Sequence, residues 1–189
     1  KITLKTPELA PGDKGYNEVK NYVKEKFDAF YNAIKSSSAN LADYADVDSV
    51  TKIYLINELG KNWDSGVSSL YFTYKQDENG DWKFFGSPVW DYDNSLGNAK
   101  GVEWDLGNIG VNDYEQYSGW WCKYKDKGKN SSSTNNVMNL ISRNKNVIKA
   151  APQVWFEDFV PALKTFMSSG VSEGEIYSSD VYYNYLKGS

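Results

Sequence analysis

Histidine is absent from the 189 residues, and this absence does most to narrow the chemistry. Without imidazole there is no Ser-His or Cys-His nucleophile pair and no histidine metal ligand. Acid-base work falls to carboxylates, with Lys and Tyr as lesser candidates. A bound metal would be held by oxygen, which favours magnesium, calcium or manganese. Cysteine occurs once, at Cys122, so an internal disulfide and a cysteine-based structural zinc site are excluded and a buried, inert thiol is expected. No apolar run approaches the roughly 18 residues of a membrane-spanning helix, so no membrane partner is expected. No signal peptide is evident, and because the chain starts at Lys1 a leader or upstream region is expected to precede it. Basic charge is not in excess either: 21 Lys and Arg against 25 Asp and Glu leave a net charge of -4, which argues against a nucleic-acid surface. Generic phosphate signatures are lacking as well. There is no G-x-G-x-x-G, no G-x-x-x-x-G-K-[ST], no D-F-G and, without His, no H-R-D.

What remains is a chain that is 40% hydrophobic and rich in rings, with 7 Trp and 15 Tyr, long enough to bury a core as a single domain over residues 1–189. The opening segment alternates at Ile2 and Leu4 and breaks at Pro11-Gly12, which predicts a short strand or arm and then a loop. From Tyr16 to about Ser36, Val19, Val23, Phe27, Phe30 and Ile34 recur at helical spacing among Lys and Glu, the pattern of an amphipathic helix. A second helix is expected to start at Asp48 or Ser49 and to stop at Gly60. Ser69 to Lys75 and Trp82 to Val89 read as strands of a hairpin, with Asn79-Gly80 as a turn in which both residues accept positive φ. Residues 94–129 read as a long ordered loop with short helical pieces, and "GKNSSSTNN", Gly128 to Asn136, as the most flexible stretch and a cap for the next helix. Val137 to Ser168 is helical in pattern, with an interruption expected near Pro152, a kink near Pro161 and an end at Gly170. The last residues read as a partial helix. The fold class is α+β, mainly helical.

Three acids stand where structure changes type: Asp64 after the second helix, then Asp91 and Asp93 after the hairpin, in "PVWDYDNSLGN". In an extended chain residues i and i+2 point the same way, so Asp91 and Asp93 would face one cation; if the chain turns between them, only one does. The hairpin returns the chain to its start and brings Asp64 near the pair. Three converging carboxylates repel unless a cation or proton intervenes, which makes a divalent site plausible. The alternative is that Asp64 and Asp93 cap turns or helices through their side-chain oxygens. "DYDNSLGN" is a poor calcium loop, because its Gly is one place late and position twelve is Val102 rather than Glu. "WDSG" has no second copy, as an aspartic-protease pair would require. Trp104, Trp120 and Trp121 invite a sugar-stacking role, against the commoner use of such rings as core or loop anchors.

The series "YLINELGKNWDSGVSSLYFTYK", "GDWKFFGSPVWDYDNSLGN" and "WFEDFVPAL" resembles the spore-coat CotH kinase family, in the branch found in secreted, multidomain clostridial proteins. The likeness is close over residues 50–98 and looser elsewhere. It implies an atypical kinase-like fold that transfers the terminal phosphate of ATP to Ser of a protein substrate with Mg2+ or Mn2+, at an extracellular or spore or cell surface. Carried over by motif, Asp64 would orient and deprotonate the acceptor hydroxyl. Asp91 would hold the metal bridging the phosphates, with Asp93 as a neighbouring or second-metal carboxylate. Asn62, Ser69 and Trp90 would lie on the cofactor side, with Asn62 and Ser69 orienting the loop or completing the metal shell. Phosphoryl transfer depends mainly on positioning and charge compensation, which is the work such acids do. In kinase-like folds a β-rich lobe precedes this region, and nothing before Tyr16 makes one. The expectation is therefore the helical, C-terminal lobe, belonging with adjacent domains in a longer polypeptide and weak or inactive alone. The competing expectation is a non-catalytic extracellular module that contacts glycan or protein through exposed aromatics.

Overall fold

The computed structural model describes residues 3–62, 69–93, 95–96 and 137–168. Its elements are α1 (Tyr16–Lys35), a single 3-10 turn (Leu41–Asp43), α2 (Val47–Gly60), β1 (Phe72–Gln76), β2 (Trp82–Gly86), α3 (Val137–Arg143), α4 (Lys145–Val154), a π-helical turn (Trp155–Phe159) and α5 (Val160–Ser168). The mainly helical α+β class expected from the sequence holds. Among residues 3–15 no strand forms, so the opening segment is an arm.

α1 buries the stripe predicted for it, with Phe30 and Ile34 inside and Val19, Val23 and Phe27 half-buried. α2 is different in kind. Val50, Thr51, Ile53, Tyr54, Leu55, Asn57, Glu58 and Gly60 are all buried, so this helix is covered nearly all round and forms the centre of the molecule. It packs against β2 on one side and α3 and α4 on another. Its buried polar groups are satisfied locally: Thr51 Oγ1 donates to the Val47 carbonyl at 2.7 Å and Asn57 Nδ2 to the Ile53 carbonyl at 2.7 Å.

The cap of α2 is Asp46, neither Asp48 nor Ser49. Its carboxylate accepts from the Ser49 N–H at 2.7 Å, while its own N–H donates to the Phe84 carbonyl at 2.9 Å. The Phe84 N–H donates in turn to the Tyr44 carbonyl at 2.9 Å, so residues 44–46 run alongside β2 and aim α2. Gly86 allows the close approach. A Cβ there would stand 2.5 Å from the Ser49 carbonyl oxygen and 3.0 Å from Ile53 Cγ2.

β1 and β2 pair antiparallel from Phe72 opposite Gly86 to Gln76 opposite Trp82. The strands are shorter than the alternation suggested. Phe72, Tyr74 and Phe84 share the face that meets α1, where Phe30 stacks on Phe84 at 4.8 Å and meets Phe72 edge-on at 5.2 Å. In the connecting turn only Gly80 takes positive φ, at 86°, and Asn79 does not. Asp77 does the rest: its Oδ1 accepts from the N–H groups of Asn79 and Asp81, both at 2.9 Å, and its Oδ2 pairs with Lys83 Nζ at 2.8 Å. The Lys83 ammonium and these N–H donors hold the Asp77 carboxyl below the usual range, and Asp77 raises Lys83 in return.

The third helical region breaks fully at Asn144, where the sequence pattern gives no expectation of a break, and is interrupted more mildly just after Pro152. Asn144 is 3% exposed; its Nδ2 donates to the Ile34 carbonyl at 3.0 Å and the Ala33 carbonyl at 3.4 Å, while its Oδ1 accepts from the Asn146 N–H at 2.9 Å. One side chain thus finishes α1 and starts α4. Pro152 lies inside α4, and the irregularity it brings emerges as the π-helical turn between it and Pro161. The expectations for residues 97–136, Cys122, Gly170 and the C-terminal tail lie outside the described residues.

Candidate active site

α2 ends in a reciprocal pair of bonds. The Asn62 N–H reaches back to the Asn57 carbonyl at 3.3 Å and the Lys61 N–H to the Glu58 carbonyl at 3.3 Å. This is the geometry of a Schellman cap, and Lys61 is its left-handed residue, with φ at 47°. Gly60, expected as that residue, is the last helical position and is small for another reason. The Tyr92 ring lies against it, so that a Cβ would meet Tyr92 Cε1 at 3.2 Å. The Leu96 N–H donates to the Gly60 carbonyl at 2.6 Å, and Ser95 Oγ donates to the Tyr92 carbonyl at 2.5 Å. The segment carrying Asp91 and Asp93 is thereby docked on the end of α2, next to Asn62, which is 2% exposed.

The hairpin supplies the other support. Its last backbone bond on this side runs from the Ser87 N–H to the Tyr71 carbonyl at 3.1 Å. Beyond it the strands are joined by a side-chain bond: Ser69 Oγ donates to Asp91 Oδ2 at 2.8 Å. Both partners are left-handed, Ser69 at φ 53° and Asp91 at φ 61°, as is Leu96 at φ 53°. The chain therefore turns at Asp91, and the extended alternation that would aim Asp91 and Asp93 together does not apply. Trp90 is 61% exposed, with its ring edge-on to Tyr71 at 6.2 Å.

Of the residues singled out in the sequence, Ser69 and Asp91 are in direct contact, Trp90 adjoins them, and Asn62 closes the helix on which the acid segment rests. Asp93 is exposed in the turn that follows. Asp64, Trp104, Trp120 and Trp121 lie outside the described residues. Sequence reasoning missed Tyr92 and Leu96 as anchors; the available signal was Gly60, whose lack of a side chain suits a ring as well as a turn.

Among the described residues no three acidic, Cys or His side chains group to hold a metal. Two exposed carboxylates suit a cation that takes one or two acids and fills its shell with water and phosphate oxygens, which is the habit of Mg2+; they fall short of a calcium cage. Among the described residues no helix is long and apolar enough to cross a membrane.

No curated protein and no solved structure matches this chain. The family model described as CotH kinase protein matches residues 4–149, which takes in α1, α2, the hairpin, both acids after it, α3 and part of α4. The chain belongs to the CotH kinase family.

Proposed function

We propose that the protein is an atypical protein kinase that moves the terminal phosphate of ATP to a Ser hydroxyl of a protein substrate. The supporting observation is the docking of the Asp91 segment on the end of α2, with Ser69 on the carboxylate. Family membership implies ATP use. Asp91 would hold Mg2+ or Mn2+, the cation would neutralise the phosphates, and Asp93, beyond the turn at Asp91, would serve a second cation. Asn62, Ser69 and Trp90 would line the cofactor side, Trp90 offering an exposed ring. Asp64 would orient the acceptor hydroxyl and take its proton. The helices would serve as the helical lobe of a kinase-like fold, completed by a phosphate-covering lobe supplied elsewhere in a longer polypeptide, at an extracellular, spore or cell surface.

The test is labelling of a Ser-containing acceptor with radiolabelled γ-phosphate by a polypeptide extended upstream. Asp64→Asn is expected to lower turnover and keep nucleotide binding. Turnover equal to wild type in Asp64→Asn removes that residue from the catalytic role, and equal turnover in Asp91→Ala removes the metal site. A second reading rests on the exposed rings of Trp82, at 53%, and Trp90: a binding module that contacts glycan, which a pull-down on insoluble polysaccharide would reveal.

A further inference from the structure

Ser69 and Asp91 lie 22 residues apart, at the two ends of the hairpin. Both are non-glycine residues held at positive φ, a conformation that costs energy and persists where the surroundings impose it. Neither is a turn centre that its own sequence neighbourhood demands. Ser69 stands two residues before Tyr71 and Asp91 four residues after Ser87, the pair that makes the backbone bond beyond the strands, and the two side chains meet outside the ladder. Among the described residues this hydroxyl is the one hydrogen-bond partner of the Asp91 carboxylate, and it occupies Oδ2 only. Oδ1 remains for another ligand.

We infer that Ser69 is a positioning residue for Asp91: its hydroxyl fixes the carboxylate so that one oxygen is held by the protein and the other is presented to a divalent cation. This deepens the proposed kinase reading and rests on Asp91 as the metal carboxylate. An exposed Asp side chain samples several rotamers, and a cation that must select one binds more weakly than a cation meeting a fixed ligand. The hydroxyl supplies that fixation before metal arrives. The left-handed backbone at Ser69 is what brings a side chain as short as Ser to the carboxylate.

The experiment separates hydroxyl from backbone. Mn2+ alone is titrated into wild type, Ser69→Ala, Ser69→Gly and Asp91→Asn, with free Mn2+ followed by its paramagnetic resonance signal and melting temperature measured in parallel. Ser69→Gly relaxes the left-handed backbone and Ser69→Ala does not, so the Gly variant is expected to melt higher than the Ala variant. Both lack the hydroxyl, and both are expected to bind Mn2+ about tenfold more weakly, as loss of a partner to a metal ligand typically causes. Affinity thus follows the hydroxyl while stability follows the backbone. Wild-type affinity in both variants, or affinity that tracks their melting temperatures, overturns the positioning role while Asp91→Asn still abolishes binding. Binding in Asp91→Asn equal to wild type, or none in the wild type, sinks the metal reading and the positioning role with it.

Discussion

Asn144→Ala tests whether one buried side chain joins two helices. In the native protein the amide donates to the Ile34 carbonyl and the oxygen caps α4 at the Asn146 N–H. Loss of an N-cap costs about 1 kcal/mol. The Ile34 carbonyl, left without its donor in a buried setting, adds about 1–3 kcal/mol. The Ala33 carbonyl suffers less, because the Ser36 N–H also reaches it, at 3.3 Å. A total of about 2–4 kcal/mol follows, or roughly 4–16 °C in melting temperature for a chain of this size. Asn144→Asp sharpens the test. It keeps the capping oxygen but sets a carboxylate against the Ile34 carbonyl in a buried setting, and burial and that carbonyl are expected to outweigh the one capping N–H and raise its folded pKa above the unfolded value near 4. A carboxyl raised in this way penalises the fold as pH climbs past the unfolded value, and the penalty is complete above the folded one. Urea melts at pH 7.5 should therefore place Asn144→Asp below Asn144→Ala, and melts at pH 4.5 should narrow or reverse the gap. A loss under 0.5 kcal/mol in Asn144→Ala, or a gap indifferent to pH, would refute the bridging role assigned to this side chain.

Gly86→Ala should cost about 1–3 kcal/mol by overpacking, since its Cβ would press on the Ser49 backbone; a melting temperature equal to wild type would show that α2 can retreat from β2. Asp77→Asn should lower the melting temperature at pH 7, and because the native carboxyl is held below its usual range the difference should vanish as pH falls through that lowered value. A difference that persists in acid would assign the effect to something other than the Lys83 pair and the turn N–H groups. Asp91→Gly trades a left-handed Asp, which costs about 1 kcal/mol, against an exposed hydrogen bond of about the same size. Its stability should stay within about 1 kcal/mol of wild type, while millimolar Mg2+ or Mn2+ should raise the melting temperature of the wild type and not of this variant; an equal rise in both would take Asp91 out of the proposed metal site.

Where one periodic pattern dominates, as in α1, the sequence alone places the element to within a residue. The hairpin was legible for a similar reason, since alternation and Asn79-Gly80 agree. α2 was found but its start was misjudged, because Asp46, Asp48 and Ser49 are all good caps within four positions. What selects Asp46 is tertiary: its N–H is already committed to Phe84, so the helix must begin beside β2. Asn144 was invisible for a related reason. Its two bonded partners in α1 lie 110 and 111 residues away, and no local rule distinguishes it from the other Asn residues around it. Pro152 marks the milder of the two interruptions, since the distortion its ring brings is absorbed in a π-helical turn, while the sharper break at Asn144 carries no proline signal.

For the candidate site the sequence narrows the donor chemistry and does not give the geometry. The lack of His limits any metal donors on this chain chiefly to oxygen, and the structure joins Ser69 to Asp91 and sets the Trp90 ring against Tyr71. Alternation extends each strand three residues too far on this side, to Ser69 and Val89, because it continues in the sequence after pairing has stopped. The residues that break the rule are Ser69 and Asp91, whose types do not demand positive φ. Local preference and tertiary structure conflict there, and in natural proteins such conflicts concentrate where position matters more than stability. The same conflict explains Gly60: a helix terminus alone would place glycine one residue later, at Lys61, whereas the protein keeps glycine where the Tyr92 ring must approach and accepts a left-handed Lys instead. The left-handed residues Lys61, Ser69 and Asp91 thus stand where α2 ends and where the hairpin delivers the segment that carries the Asp91 carboxylate.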